Sequence, residues 1–407
     1  MKKSLFAVAA ATAFTGAVQA QSSVTVYGIL DMGYASSYQR NATGSTGAIT
    51  NQNTSGFKGS NESTSRLGFR GTEDLGGGTS AFFTVETAIN TDQGGLFTSG
   101  ANGNRQTFLG LGQKGLGQAS IGIQYTPIHE AAAATDAAGL NNLTGNVIYD
   151  KPGGYGSAAG QVVAGSGTTA NYISGMGDNS SYTARTSNAL VLKSERMSGL
   201  MAKAMLVQGG KDSNTTTQTI DNSGWGVSLD YTWNKLFVVA AYQAFQNHTL
   251  AGGLFSQGYT TASITPGVNA WDNQQYYAAT YDFGILKAYA QYVNRKTSNT
   301  NDVNNYIKRS AQQIGVRAPL SSKLEVFAAG GTGSINAGGT ALTPSKFNGF
   351  QLGSDYFLSK RTNLYALYGQ TATSNNLMAT AYGTNAATTN KNSYNASSYA
   401  IGIRHTF

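Results

Sequence analysis

Hydrophobic residues in this chain recur at every second position. In "GWGVSLDYTW" Trp225, Val227, Leu229 and Tyr231 alternate with Gly226, Ser228, Asp230 and Thr232. "QYYAATYDF" sets Tyr277, Ala279, Tyr281 and Phe283 against Tyr276, Ala278, Thr280 and Asp282. The same beat runs through "ILKAYAQYV", "TNLYALYGQ", the early "SSVTVYGILDMGY" and the final "SSYAIGIRHTF". A period of two sends the two sets to opposite faces of an extended strand. Sixteen such segments are expected, starting near Val24, Ser65, Thr79, Gln106, Gln118, Ser187, Gly199, Ser223, Leu236, Gln275, Ile285, Ala311, Lys323, Gly349, Thr362 and Ser397.

A list of this kind fits a soluble sandwich with its apolar face inside, or a transmembrane barrel with that face turned to lipid. The pattern favours the barrel. Isolated charges flanked by Gly or Ala sit on the polar faces, and Tyr and Phe cluster near segment ends, where an interfacial girdle lies. Connections alternate as well: "DLGGGT", "GLGQ", "WNKL", "DFGI", "PLSSK" and "LSKRTN" are tight, whereas "NATGSTGAITNQNTSG" is long and polar. Such asymmetry belongs to barrels with short periplasmic turns and long external loops. Because backbone groups in lipid must pair within the protein, the sheet must close, and an aromatic last strand ending at Phe407 closes it onto the first.

Composition agrees with one repetitive architecture. Among 407 residues only 11% are charged, Gly reaches 52 and Pro only 5, as suits paired strands that need every N–H. The mean hydropathy of -0.24 is too polar for a bundle of membrane helices. "MKKSLFAVAAATAFTGAVQA" reads as a signal peptide over residues 1–20: Lys2 and Lys3, an apolar run, then a small-residue site ending at Ala20. Its removal lowers the net charge from +8 to +6 and leaves residues 21–407 as the barrel.

Several chemistries are disfavoured. The chain has no cysteine, so neither a disulfide framework nor a thiolate metal site is expected. His129, His248 and His405 lack a partner motif for a nucleophile, and "GLGQKGLG" lacks the Lys-Ser/Thr of a phosphate cradle. No enzyme and no cofactor are expected, and dispersed bases behind an export signal disfavour nucleic acid.

The stretches "LSKRTNLYALYG" (Leu358 to Gly369), "GTEDLGGGTSAFFTVET", "SVTVYGILDMGY", "YDFG" and "YAIGIRHTF" occur in order along the chain. Together they resemble the trimeric general-diffusion porins of betaproteobacterial outer membranes. The resemblance implies an all-β, sixteen-stranded antiparallel barrel, a homotrimer, and a third external loop folded into the lumen as a constriction. It also implies passage of small hydrophilic solutes and anions, lipid and lipopolysaccharide neighbours, and recognition of the Phe407 strand by the barrel-assembly machinery.

The candidate loop spans about residues 128–184, too long for a plain connection. It carries Glu130 and Asp136 in an alanine-rich run, with Asp136 where the family places an acid, and then the glycine-rich "GGYGSAAGQVVAGSGTTANYISGMG". If Leu67 and Phe69 face lipid, Arg66 and Arg70 face the lumen. By the same parity Arg185, Lys193, Lys203, Lys287, Arg317 and Arg404 point inward, with Glu86 and Asp355. The family pattern carries Gly-Arg-Gln on the fifth strand, where this chain has Gly122-Ile123-Gln124. Acidic loop groups facing these bases across water are expected to give modest anion selectivity. A substrate-specific channel, or an adhesin or receptor role for the loops, is the alternative.

Overall fold

The computed structural model of the chain describes residues 23–43, 48–92, 94–97, 103–149, 177–178, 181–209, 220–249, 270–299, 306–337, 345–374 and 393–407. The signal peptide and most of the glycine-rich stretch lie outside the described residues.

The strands are β1 (Ser23–Thr43), β2 (Ala48–Gly59), β3 (Arg66–Gly76), β4 (Thr79–Ala88), β5 (Asn104–Gln113), β6 (Gly117–Tyr125), β7 (Gly177–Asp178), β8 (Thr183–Ser194) and β9 (Leu200–Gln208). They continue as β10 (Ile220–Trp233), β11 (Leu236–Thr249), β12 (Ala270–Asp282), β13 (Lys287–Asn299), β14 (Tyr306–Pro319), β15 (Leu324–Ala337), β16 (Ser345–Phe357), β17 (Thr362–Ser374) and β18 (Ser393–Thr406). One helix, α1 (Pro127–Thr135), follows β6. All pairings are antiparallel between neighbours, and β18 returns to β1, so the sheet closes. The two-residue β7 is an accessory, and β2 and β3 both pair with β1 along the same edge. That leaves sixteen staves, the number read from the alternation.

A single hydrogen-bonded row shows why the alternation has this sense. Leu111, Ala119, Leu192, Ala204 and Val227 lie side by side across β5, β6, β8, β9 and β10 and face outward. The row beside it runs Ser120, Val191, Met205, Gly226, Gln243, Gln274 and Arg295 and faces inward. Leu109, Ile121 and Ile314 are 65%, 65% and 72% exposed, while Gln243 and Gln274 are fully covered. A soluble protein does not expose large aliphatics and bury amides, so the outer face is the lipid face. No helix among the described residues is long and apolar enough to cross a membrane; the strands do it.

The sequence placed strand starts well at the short turns and late at the long loops. Strands entering from a tight turn begin within about two residues of expectation, as at Thr79, Leu236 and Thr362. Those descending from a long loop begin earlier, at Ala270, Tyr306 and Ser393. A stave of 13 residues such as β13 is about 44 Å long and, tilted about 40°, rises about 34 Å, more than the apolar band of about 25 Å. Its upper end stands in water and carries no lipid-facing signal. For the same reason "AITNQNTSG", the second half of the expected external loop "NATGSTGAITNQNTSG", belongs to the strand β2.

At the closure, Gly28 and Phe407 exchange backbone hydrogen bonds of 3.1 and 3.2 Å. The Phe407 ring lies over Gly28 on the outer face, where a Cβ would collide with it. Gly28→Val should therefore obstruct the β1–β18 seam. Refolding into lipid vesicles, read by the heat-dependent shift in gel mobility, should give a several-fold lower yield of closed barrel; wild-type yield would contradict this docking.

Candidate functional site

The chain leaving β6 turns into α1 because Thr126 caps it, accepting from the His129 backbone N–H at 3.3 Å, with Pro127 in the first turn. Ile128, Ala131 and Ala132 are buried against Val239, Ala241, Tyr276 and Ala278, all on the inward face of β11 and β12. The helix and the segment to Tyr149 therefore lie inside the barrel wall.

Neutral amides fasten this segment. Gln243 accepts from the Ile128 N–H at 3.5 Å, and Gln274 accepts from the Thr183 N–H at 2.8 Å. Gln291 donates to the Tyr276 hydroxyl, which bonds Thr135 at 2.6 Å. Gln313 donates to Asp136 at 3.0 Å while accepting from the Val147 N–H at 3.1 Å. Gln351 donates to the carbonyls of Leu143 and Thr144. Gly369 lets the Thr144 carbonyl lie flat on β17, where a side chain would exclude it. Arg309 adds bonds to Ser181 at 2.6 Å and the Val147 carbonyl at 3.1 Å.

The acids of this segment are already partnered. Asp136 is buried, and its carboxylate accepts from the Leu140 N–H at 2.7 Å, Asn146 at 3.0 Å and Gln313. Burial pushes its carboxyl up to about 6 against the opposing pull of those donors. Asp136 staples the loop to the wall and does not face the water, contrary to the sequence expectation. Glu130 is 41% exposed, yet it pairs with Lys203 at 2.8 Å and Lys193 at 3.9 Å.

The wall from β3 to β8 is basic. Glu86, only 4% exposed, accepts from Arg105 at 2.6 Å and from the Tyr27 hydroxyl at 3.1 Å, with Arg66 at 3.8 Å. Arg105 also donates to the Tyr125 hydroxyl at 2.7 Å. Arg185 stands 6.0 Å from the Tyr125 ring and Arg70 5.2 Å from that of Tyr27. Two guanidinium groups thus flank one buried carboxylate, and two more lie over the tyrosines bonded to that cluster.

On the far staves the balance reverses. Arg317 pairs with Glu325 and, at 3.5 Å, with Asp355. Arg404 meets Glu62 at 3.1 Å and Asn363 at 3.1 Å, and Asp31 accepts from Tyr365 at 2.6 Å. Lys287 lies apart, over the Tyr289 ring near the short-turn end.

Parity alone did not reach Arg105, Asp31, Glu62, Arg295 or Arg309. Arg105 begins its strand in "NRQT", where no apolar neighbour sets the phase. It lies two residues beyond the Thr107 that pairs with Ile123. Arg295 holds Asp272 with bonds of 3.0 and 2.6 Å above the lipid band.

The family model for Gram-negative porins matches residues 7–376. The chain belongs to the Gram-negative porin family. This porin is 30% identical to outer membrane porin protein 32 of Delftia acidovorans and 27% identical to an outer membrane porin protein of Bordetella pertussis, each alignment covering 100% of both chains. Its fold matches the anion-selective porin from Comamonas acidovorans with a TM-score of 0.65 and 22% identity, over 95% of this chain and 100% of that one. It is thus a multi-pass β-barrel channel of the bacterial outer membrane.

Replacing Asp136 with Ala leaves three donors unmatched, at about 1–3 kcal/mol for each that water does not reach. The porin should then show noisier single-channel current and faster proteolysis between α1 and Tyr149, with ion preference little changed; a quiet, protease-resistant channel would contradict the staple. Arg105→Ala, in contrast, should weaken anion preference in a reversal-potential measurement while leaving the loop protected, and an unchanged potential would count against the basic wall.

Proposed function

We propose that the channel passes small hydrophilic solutes and ions passively, with a modest preference for anions set on the wall from β3 to β8. The carrying observation is that Arg66 and Arg105 share one carboxylate, Glu86, that is itself withdrawn from water, while Arg70 and Arg185 stand over Tyr27 and Tyr125, the tyrosines that bond Glu86 and Arg105. An anion moving between the loop and this wall meets guanidinium edges in a low-dielectric frame, and a cation meets the same field with opposite sign. In the part of the loop from α1 to Tyr149 both acids, Glu130 and Asp136, are engaged and do not cancel it. The segment from 128 to 184 is read as the constriction. The anion-selective porin of similar fold agrees with this preference.

The partners follow in the same spirit. Three copies assemble, as the family resemblance implies, after removal of residues 1–20. At the outer rim Lys296 stands directly opposite Lys308 on the lipid side of β13 and β14. Like charges in that position repel unless an anion lies between them, and lipopolysaccharide phosphates supply one. The Phe407 strand is the segment offered to the assembly machinery.

In a planar bilayer under a salt gradient, the refolded porin should insert in triplet conductance steps with a reversal potential that favours anions. Raising salt from 0.1 to 1 M should diminish the preference as the Debye length falls from about 10 Å to about 3 Å. A cation-favouring potential would overturn the wall assignment, single independent steps would overturn the trimer, and saturable flux of one solute would indicate a specific channel instead.

A further inference from the structure

The edge of β1 carries an irregularity that the barrel architecture does not require. β2 pairs with β1 down to Gly59 opposite Met32, and β3 resumes at Arg66 opposite Ile29. Only Leu30 and Asp31 separate those positions on β1, whereas residues 60–65, "SNESTS", separate them on the other side. β2 and β3 are therefore two halves of one stave, interrupted by an excursion four residues too long to stay in the sheet.

The excursion turns inward, and Asp31 holds it there. Ser60 takes a positive φ of 64°, and its N–H donates to the Asp31 carbonyl at 2.9 Å. The Asp31 carboxylate, on the inward face, accepts from the N–H groups of Glu62 at 2.7 Å and Ser63 at 2.6 Å. The tip meets the constriction segment: Asn142 donates its N–H to the Asn61 carbonyl at 2.9 Å and its side-chain amide to the Ser60 carbonyl at 2.5 Å. At its other end the Thr64 carbonyl accepts from Arg66 at 2.9 Å. The segment from α1 lines the inner wall from β8 round to β18, the excursion bridges β18, β1 and β3, and the arginine wall continues from β3. A ring of inward polar groups is thereby closed.

We propose that residues 60–65 form a second inward element of the pore, and that Glu62 is a specificity-determining residue whose charge restrains the anion preference. Glu62 faces Arg404 on β18, Asp355 on β16, Asp31 on β1, and the neutral Asn363 and Tyr365 on β17. Three carboxylates thus share this corner with Arg404, and Arg317 lies behind Asp355. Burial, reinforced by Asp355 and Asp31 and opposed by Arg404, pushes the Glu62 carboxyl up to about 7. Below that pH the group is neutral and opposes Arg404 less; above it the negative charge cancels a further part of the basic field. Anion preference should therefore rise as pH falls through about 7.

This inference rests on the anion-preferring reading, which wild-type reversal potentials test by themselves. Its own test is the difference between wild type, Glu62→Gln and Glu62→Lys, measured from pH 8 to pH 6 after the gel-mobility shift confirms a closed barrel. A unit charge about 10 Å from the ion path changes the concentration of each ion about twofold in water, and so the anion-to-cation ratio about fourfold. The ratio at pH 8 should increase from Glu to Gln to Lys, and both variants should lack the step near pH 7 that wild type shows. Asp136 titrates near 6 in all three proteins and cannot imitate that difference. Equal ratios at pH 8, or a step near 7 that persists in Glu62→Gln, would overturn the proposal; if one variant does not fold, the other still reads it.

Discussion

A backbone amide in hydrocarbon has no water to bond, so a sheet that crosses a membrane cannot leave an edge. Most of the architecture descends from that constraint. β18 must find β1, which requires the last residues to be a strand and requires Gly28 to leave room for the Phe407 ring. Closure fixes an inside and an outside, and period-two alternation then assigns every side chain to lipid or to lumen. Aliphatics can be left 65% exposed on one face only because that face meets hydrocarbon.

The inside faces a second problem, since a long segment must lie against the wall without a hydrophobic core to hold it. Ile128 and the alanines of α1 supply a small apolar contact on β11 and β12. Beyond it the glutamines at 243, 274, 291, 313 and 351 hold backbone and side-chain partners. Amides do this without adding charge, which leaves the electrostatics of the lumen to the wall. The two acids between Pro127 and Tyr149 follow the same logic: Asp136 is enclosed by donors and Glu130 by lysines. In the proposed function the field is shaped by arginines on rigid strands, whose positions are fixed by cross-strand pairing.

Sixteen staves and their facing were legible because lipid demands a strict alternation over the middle of each strand. Arg66, Glu86 and Lys203 were placed inward by apolar neighbours such as Leu67, Val85 and Leu206 on the opposite face. Where strands emerge above the lipid the demand lapses, and β2, Arg105, Arg295 and Arg309 went unread. The burial of Asp136 was illegible for a different reason: its donors come from Gln313, 177 residues away, and from a turn whose shape depends on the wall beneath it. The excursion at residues 60–65 was hidden because it is a mismatch in length between two edges, visible only once β1 is seen to pair with both halves.

The central claim is that one face of each stave meets water and the other meets lipid. Because the chain has no cysteine, single cysteines introduced in turn at positions 287–290 of β13 can report on this directly. A membrane-impermeant, negatively charged thiol reagent should modify positions 287 and 289, which the inner segment leaves partly open, and reduce conductance, and leave 288 and 290 unmodified in the bilayer. Equal labelling at odd and even positions, or labelling confined to the even ones, would contradict the account.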